Sequence, residues 1–160
     1  MIVEKIIANI NERHTDGKII DRVLMDHHDL TKPHQKVKSE SGQIIAISLE
    51  HGENLAPGSI LYEDEERIVA IDLLPEDVLR IVPNGNIEWG RAAFNIGNMH
   101  QAAYIHKDCI LVAYDAIMEG IIKKLGIKCE RVECKLEGIR ANVSQTDAHH
   151  HHHHGDHHHE

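Results

Sequence analysis

The stretch VAYDAIMEGIIKKLGI, Val112 to Ile127, reads as the end of a strand, a complete helix and the start of another strand. Asp115 is a side-chain cap for free N–H groups at a helix start. Met118, Ile122 and Leu125 recur at the spacing that lines one helical face. Lys123 and Lys124 fall in the last turn, where cations oppose the helix dipole, and Gly126 suits the left-handed stop. Working backwards, Ile110 to Ala113 and Ala102 to Ile105 form the arms of a hairpin around Lys107-Asp108. Working forwards, Ile127 to Leu136 is a closing strand.

Upstream of the hairpin the same grammar repeats. Val78 to Val82 reads as a strand, ended by the turn and capping run Pro83-Asn84-Gly85-Asn86. Trp89, Ala93 and Ile96 predict a helix over 87–96, with Gly97-Asn98 as its stop. Residues 75–143 thus follow the order β-α-β-β-α-β, the ferredoxin-like arrangement. Two amphipathic helices would cover one sheet face and leave the other for a partner or ligand.

No helical pattern of useful length precedes Pro75. The set Ile2, Val3, Ile6, Ile7 and Ile10 suits strand or helix, and Thr15-Asp16-Gly17-Lys18 is a hairpin-type turn before a strand from Ile19 to Met25. Further strands are predicted at Lys36 to Lys38, Gln43 to Leu49, Ile60 to Tyr62 and Arg67 to Leu74, with Pro57-Gly58 as a turn. Residues 1–74 therefore read as a small β domain. The fold class is α+β: this domain, the ferredoxin-like domain, and a His-rich tail over 144–160 with nothing to bury, expected to be disordered.

Composition narrows the function. Seventeen Lys plus Arg against 26 Asp plus Glu give a net charge of -9, which opposes binding to phosphate backbones, and aromatic residues at 3% supply few stacking platforms for bases. Nucleic-acid partners are excluded on that basis. The early charges Glu4 and Lys5 interrupt any signal-peptide core, and no apolar run approaches membrane-spanning length. Three cysteines, an odd number, suit reduced thiols, so a cytoplasmic protein with no membrane partner is expected. The abundant unusual residue is histidine, at 16.

The familiar catalytic signatures are missing: no His-Glu-x-x-His, no Gly-x-Ser-x-Gly, no Walker loop, no dinucleotide glycine fingerprint. No catalytic residue is assigned and the chain is read as a non-enzyme. Cys129 and Cys134, five apart on one strand, would face opposite sides and suit buried, inert thiols. His106 and Cys109 flank the hairpin turn and are a secondary metal candidate, although a surface turn explains the same residues. Asp26-His27-His28-Asp29 with His34 is a polar cluster whose adjacent histidines, if on a strand, would point to opposite faces; a solvated loop is the better account, with which weak surface metal binding could coexist. It is therefore left out of the site. His100 follows the first helix; near a twofold axis one such histidine supplies two ligands.

The segment FNIGNMHQAAY, Phe94 to Tyr104, between a predicted helix and strand, resembles the Gly-Asn-Arg-His segment of the urease accessory protein E family, the nickel metallochaperones of urease maturation. The likeness extends to domain order, to the Val112–Asp115 entry of the second helix, and to the tail. Met99 stands where the family usually has arginine. Tyr114 and Ala116 stand where some relatives have histidines. The resemblance implies that His100 is a dimer-interface nickel ligand and that the tail supplies others: His149, His150, His151, His152, His153, His154, His157, His158 and His159. It also implies a homodimer that delivers Ni to apo-urease with other accessory proteins, including a GTPase; Zn or Cu would suit the same imidazoles.

A six-histidine run is also the commonest purification tag. Here Gly155-Asp156, three further histidines and a terminal Glu160 follow it, which favours a native ligand supply. Two other functions compete: a general Ni/Zn store without a delivery partner, and a metal-dependent hydrolase. The hydrolase lacks any pairing of ligands with a positioned general base.

Overall fold

In the computed structural model, residues 1–50 and 52–141 are described. They form a mixed α+β protein of three sheets and two α-helices. The first half contains two three-stranded sheets. Strands β1 (Ile2–Val3), β3 (His34–Lys38) and β4 (Ile44–Ser48) join in the order β1-β4-β3. Strands β2 (Ile19–Met25), β5 (Ile60–Glu63) and β6 (Arg67–Leu73) join in the order β2-β6-β5. Val3, Ile45 and Ile47 meet Val23, Met25, Val69 and Ile71 in one buried cluster, so alternation along each strand aims its apolar set at the other sheet. β6 is buried at five of its seven positions, as expected of a central strand.

The apolar run from Ile2 to Ile10 is divided rather than continuous. After β1, Ile6 packs on the shared core, while Ala8 and Ile10 cover Ile60, Ile68 and Ala70 on the outer face of the second sheet. A single helical turn at Ile10–Glu12 follows, with the Asn9 side chain accepting from the Asn11 N–H at 2.9 Å. Gly58 makes this docking close: at φ 84° it lies where a Cβ would fall 2.4 Å from Asn9 Oδ1. Only glycine fits there.

The turn at residues 15–18 forms, with Lys18 N–H bonded to Thr15 O at 3.0 Å and positive φ at Asp16 and Gly17. The hairpin expected around it does not. Residues 11–16 carry no apolar side chains to build a first arm, and β2 pairs instead with β6, in parallel.

The second half follows the order β7 (Pro75–Val82), α1 (Gly85–Asn98), β8 (Ala103–Ile105), β9 (Ile110–Ala113), α2 (Ala116–Lys124), β10 (Lys128–Lys135), β11 (Ile139–Arg140). The five strands lie in the order β10-β7-β9-β8-β11, with every neighbouring pair antiparallel. β7 starts three residues earlier than the sequence suggested, because Pro75 pairs with Lys135 as a first strand residue, a position where proline is tolerated. Asp115 caps α2 by accepting from Met118 N–H at 2.8 Å. At α1 the reach-back is from Glu88, whose carboxylate accepts the Asn84 N–H at 2.7 Å. Leu79, Ile81, Ile110 and Val112 on one sheet face pack against Ala92, Ile96, Met118 and Ile122 of the helices.

The other sheet face is not left open. After β10 the chain crosses it, burying Leu136 against Val78, Cys109 and Leu111, then adds β11 beside β8. The expected free face is thus partly filled by the protein's own C-terminal strap. The two halves meet along a polar seam, where Lys135 Nζ lies 2.7 Å from Asp72 and Glu76 holds His27.

Candidate metal centre

α1 positions His100 directly. Its last turn closes through Met99 N–H to Asn95 O and Ile96 O, both at 3.2 Å, and His100 N–H bonds Gly97 O at 3.0 Å. His100 then takes φ 55°, the left-handed region that glycine usually fills at a helix exit. A histidine held there costs roughly 1–2 kcal/mol. The imidazole is exposed. The stripe of α1 leading towards it carries Ile87, 79% exposed, and Phe94, 72% exposed, seven residues apart and therefore on one face.

β11 brings the C-terminal chain to the same place. Arg140 pairs with Tyr104, and Ala141 N–H bonds Ala103 O at 2.8 Å, three residues from His100. The tail histidines, His149 to His154 and His157 to His159, lie outside the described residues, as does His51. His149 is eight residues beyond Ala141, a span of at most roughly 28 Å when extended. Nothing local in the sequence announced this juxtaposition; the two-residue β11 is too short to read as a strand.

The secondary candidates are joined through backbone. His106 N–H bonds Cys109 O at 2.9 Å, closing the hairpin. The His106 ring turns the other way, its Nε2–H donating to Glu137 O at 2.6 Å, which leaves Nδ1 as the bare nitrogen. Cys109 is buried with Val78, Leu111 and Leu136. Cys129 packs on the helix side and Cys134 on the opposite side, and burial pushes both thiols up, so they stay protonated and poor as ligands.

At the entry to α2, Tyr114 lies beneath the Arg131 guanidinium, 3.8 Å from ring centroid to Cζ, and Arg131 makes a two-pronged pair with Asp77 at 2.9 and 2.7 Å. That corner is structural rather than ligand-bearing. The polar cluster of the first half lies in a loop, as expected. His27 and His28 are not on a strand but in the turn after β2, which sets their ring centroids 4.2 Å apart. His34 stands away from them, its Nδ1 3.2 Å from Ser48 Oγ.

Among the described residues, no three His, Cys, Asp or Glu side chains converge as a ligand set. A tight site at His100 therefore needs ligands from a second copy or from the tail. No described helix is long and apolar enough to cross a membrane.

Comparison with known proteins matches both halves to one family. Residues 3–74 match "UreE urease accessory protein, N-terminal domain" and residues 76–160 match the corresponding C-terminal domain. The chain is 41% identical to the urease accessory protein UreE of Bacillus cereus over 134 residues, covering 82% of this chain and 89% of the relative. It is 34% identical to that of Geobacillus kaustophilus, covering 86% and 93%. Against the Staphylococcus saprophyticus protein it is 36% identical, covering 85% and 92%.

Proposed function

The chain belongs to the UreE family of urease accessory proteins, and on that premise we propose that it is a nickel metallochaperone. It serves urease maturation, in an accessory rather than a catalytic role. It binds nickel as cargo and hands the ion to apo-urease, working in the cytoplasm with the other accessory proteins, including the GTPase. Zn and Cu compete for the same imidazoles.

The protein works as a homodimer in which the two copies of His100 share one ion. The exposed Ile87 and Phe94 stripe on α1, leading to an exposed His100, supports a twofold contact there. Residues 75–143 form the ferredoxin-like metal-binding and dimerisation domain; the antiparallel order β10-β7-β9-β8 with both helices on one face supports that reading. Residues 1–74 are the partner-binding domain. The tail over 144–160 supplies further imidazoles that complete or relay the ion, and His106 with Cys109 is a secondary, weaker position.

One observation carries the assignment: an exposed histidine in a left-handed helix exit, with the root of the His-rich segment bonded three residues away. A carrier must release its ion, and a site with few fixed protein ligands exchanges it faster than a closed four-ligand cage. Anchoring the tail beside His100 raises the local ligand concentration without a rigid pocket.

The deciding experiment is urease activation in cells or extracts lacking this protein. Low urease activity that excess nickel restores supports delivery. Urease that activates normally at limiting nickel would leave only the storage role, to which nine tail histidines are also suited.

A further inference from the structure

We propose that His27 and His28, oriented by Glu76, form a second binding site for a borderline divalent cation such as Ni or Cu, separate in its ligands from His100. The turn after β2 is closed by Asp29 N–H donating to Asp26 Oδ1 at 2.8 Å. That closure overlays two neighbouring imidazoles with centroids 4.2 Å apart and planes tilted by 34°. On an extended strand the same residues would diverge.

Glu76 prepares the first ring. One carboxylate oxygen accepts the His27 backbone N–H at 3.1 Å, and the other lies 2.6 Å from His27 Nδ1. Nδ1 thus carries the proton, and Nε2 is left with a free lone pair. A carboxylate on the far nitrogen is how proteins fix the tautomer and raise the basicity of metal-bound histidine. The His27 side chain is 12% exposed and that of Glu76 18%, so the pair is held rather than solvated. His28 is exposed and is the second ligand.

The separation favours a geometry. With metal–nitrogen bonds near ~2.1 Å, imidazoles at a right angle place their centroids roughly 4.5 Å apart, and a tetrahedral angle spreads them past about 5 Å. The observed spacing is closer to the right angle, which suits square-planar or octahedral Cu and Ni better than tetrahedral Zn. Water completes the shell, since among the described residues no third ligand converges here. The site is therefore weak and labile. Because His27 follows β2 and Glu76 opens β7, an ion bound there also tightens the seam between the halves.

The test uses the full-length chain carrying His100→Ala and glutamine at the nine tail histidines, so that neither proposed primary ligand set remains. Nickel is titrated in while ring proton signals are followed by NMR. The His27 and His28 signals should broaden together at about ten-fold lower nickel than those of His14 and His34, which are single exposed histidines. His28→Ala, which leaves the His27–Glu76 pair intact, should abolish that preference with an unchanged circular dichroism spectrum. Glu76→Gln should weaken binding about ten-fold with both imidazoles retained. Broadening of His27 and His28 no earlier than His14 and His34, or an undiminished preference in His28→Ala, would overturn the site. Neither outcome bears on His100, which the tested variant lacks.

Discussion

His100 carries a strained backbone as well as the proposed ligand role, and one substitution reads both. Its backbone adopts φ 55°, so the side chain carries a conformational cost independent of any metal. His100→Gly removes that cost and should raise unfolding free energy by about 0.5–1 kcal/mol, measured by urea denaturation, after allowance for the more flexible unfolded chain. The same change, like His100→Ala, should eliminate the tightest class of bound nickel, because each protein copy loses its shared ligand. With the tail histidines replaced by glutamine, calorimetric titration should show this loss far exceeding that in His106→Ala. If the His100 variants bind one nickel per dimer as tightly as their parent, His100 is not the ligand. Sequence alone could place His100 after a helix; the positive φ and the exposure came from the way Met99 closes the last turn.

At the scale of the elements, β11 is the feature that ties the candidate centre together. Gly138, which precedes it, has φ 141°, and a Cβ there would lie 2.7 Å from His106 Nε2. Gly138→Ala should therefore cost about 2 kcal/mol and expose the Ala141 amide, which bonds Ala103, to faster hydrogen exchange. Adding His106→Ala should recover part of the loss, since it removes the clashing ring but not the backbone strain. Equal stability of Gly138→Ala and the parent would mean the strap can shift without penalty. No pattern in residues 136–141 marks them as a strand, because a two-residue edge strand has no periodicity to read; β11 exists only because β8 offers a free edge.

Across the whole molecule, acid should act in two separable windows. Imidazoles ordinarily titrate near ~6.5, so lowering pH from about 7.5 to about 5.5 should release nickel progressively, read by equilibrium dialysis; full retention would point to carboxylate or thiolate ligands. The fold should survive that range and weaken lower down. Burial alone would raise the Asp72 carboxyl, but the Lys135 ammonium, the Leu73 N–H and Arg22 outweigh it and hold it below the usual carboxylate range. Its stabilising effect is thus complete above about pH 4 and is lost as pH falls through the lower folded value. The pair is 40% and 32% exposed, so solvent screening limits it. Asp72→Asn should cost about 0.5 kcal/mol at pH 7 and less at pH 2, compared by urea midpoints. An equal penalty at both pH values would show that Asp72 acts through packing rather than charge.

Sequence alone determined what depends on neighbours along the chain. Asp115 and Gly126 bound α2, apolar spacing marks α1, and the β-α-β-β-α-β order follows because caps, turns and periodicity act within a few residues. Cys129 and Cys134 fall on opposite faces for the same reason, a strand's period of two. Tertiary structure decided what joins distant segments: the parallel match of Ile19 with Arg67, the His27–Glu76 contact, Leu136 across the sheet, and Ala141 beside Ala103. In each case several apolar or polar partners are equally acceptable locally. Loop closure costs grow only slowly with length, so the choice among them falls to packing of the assembled core.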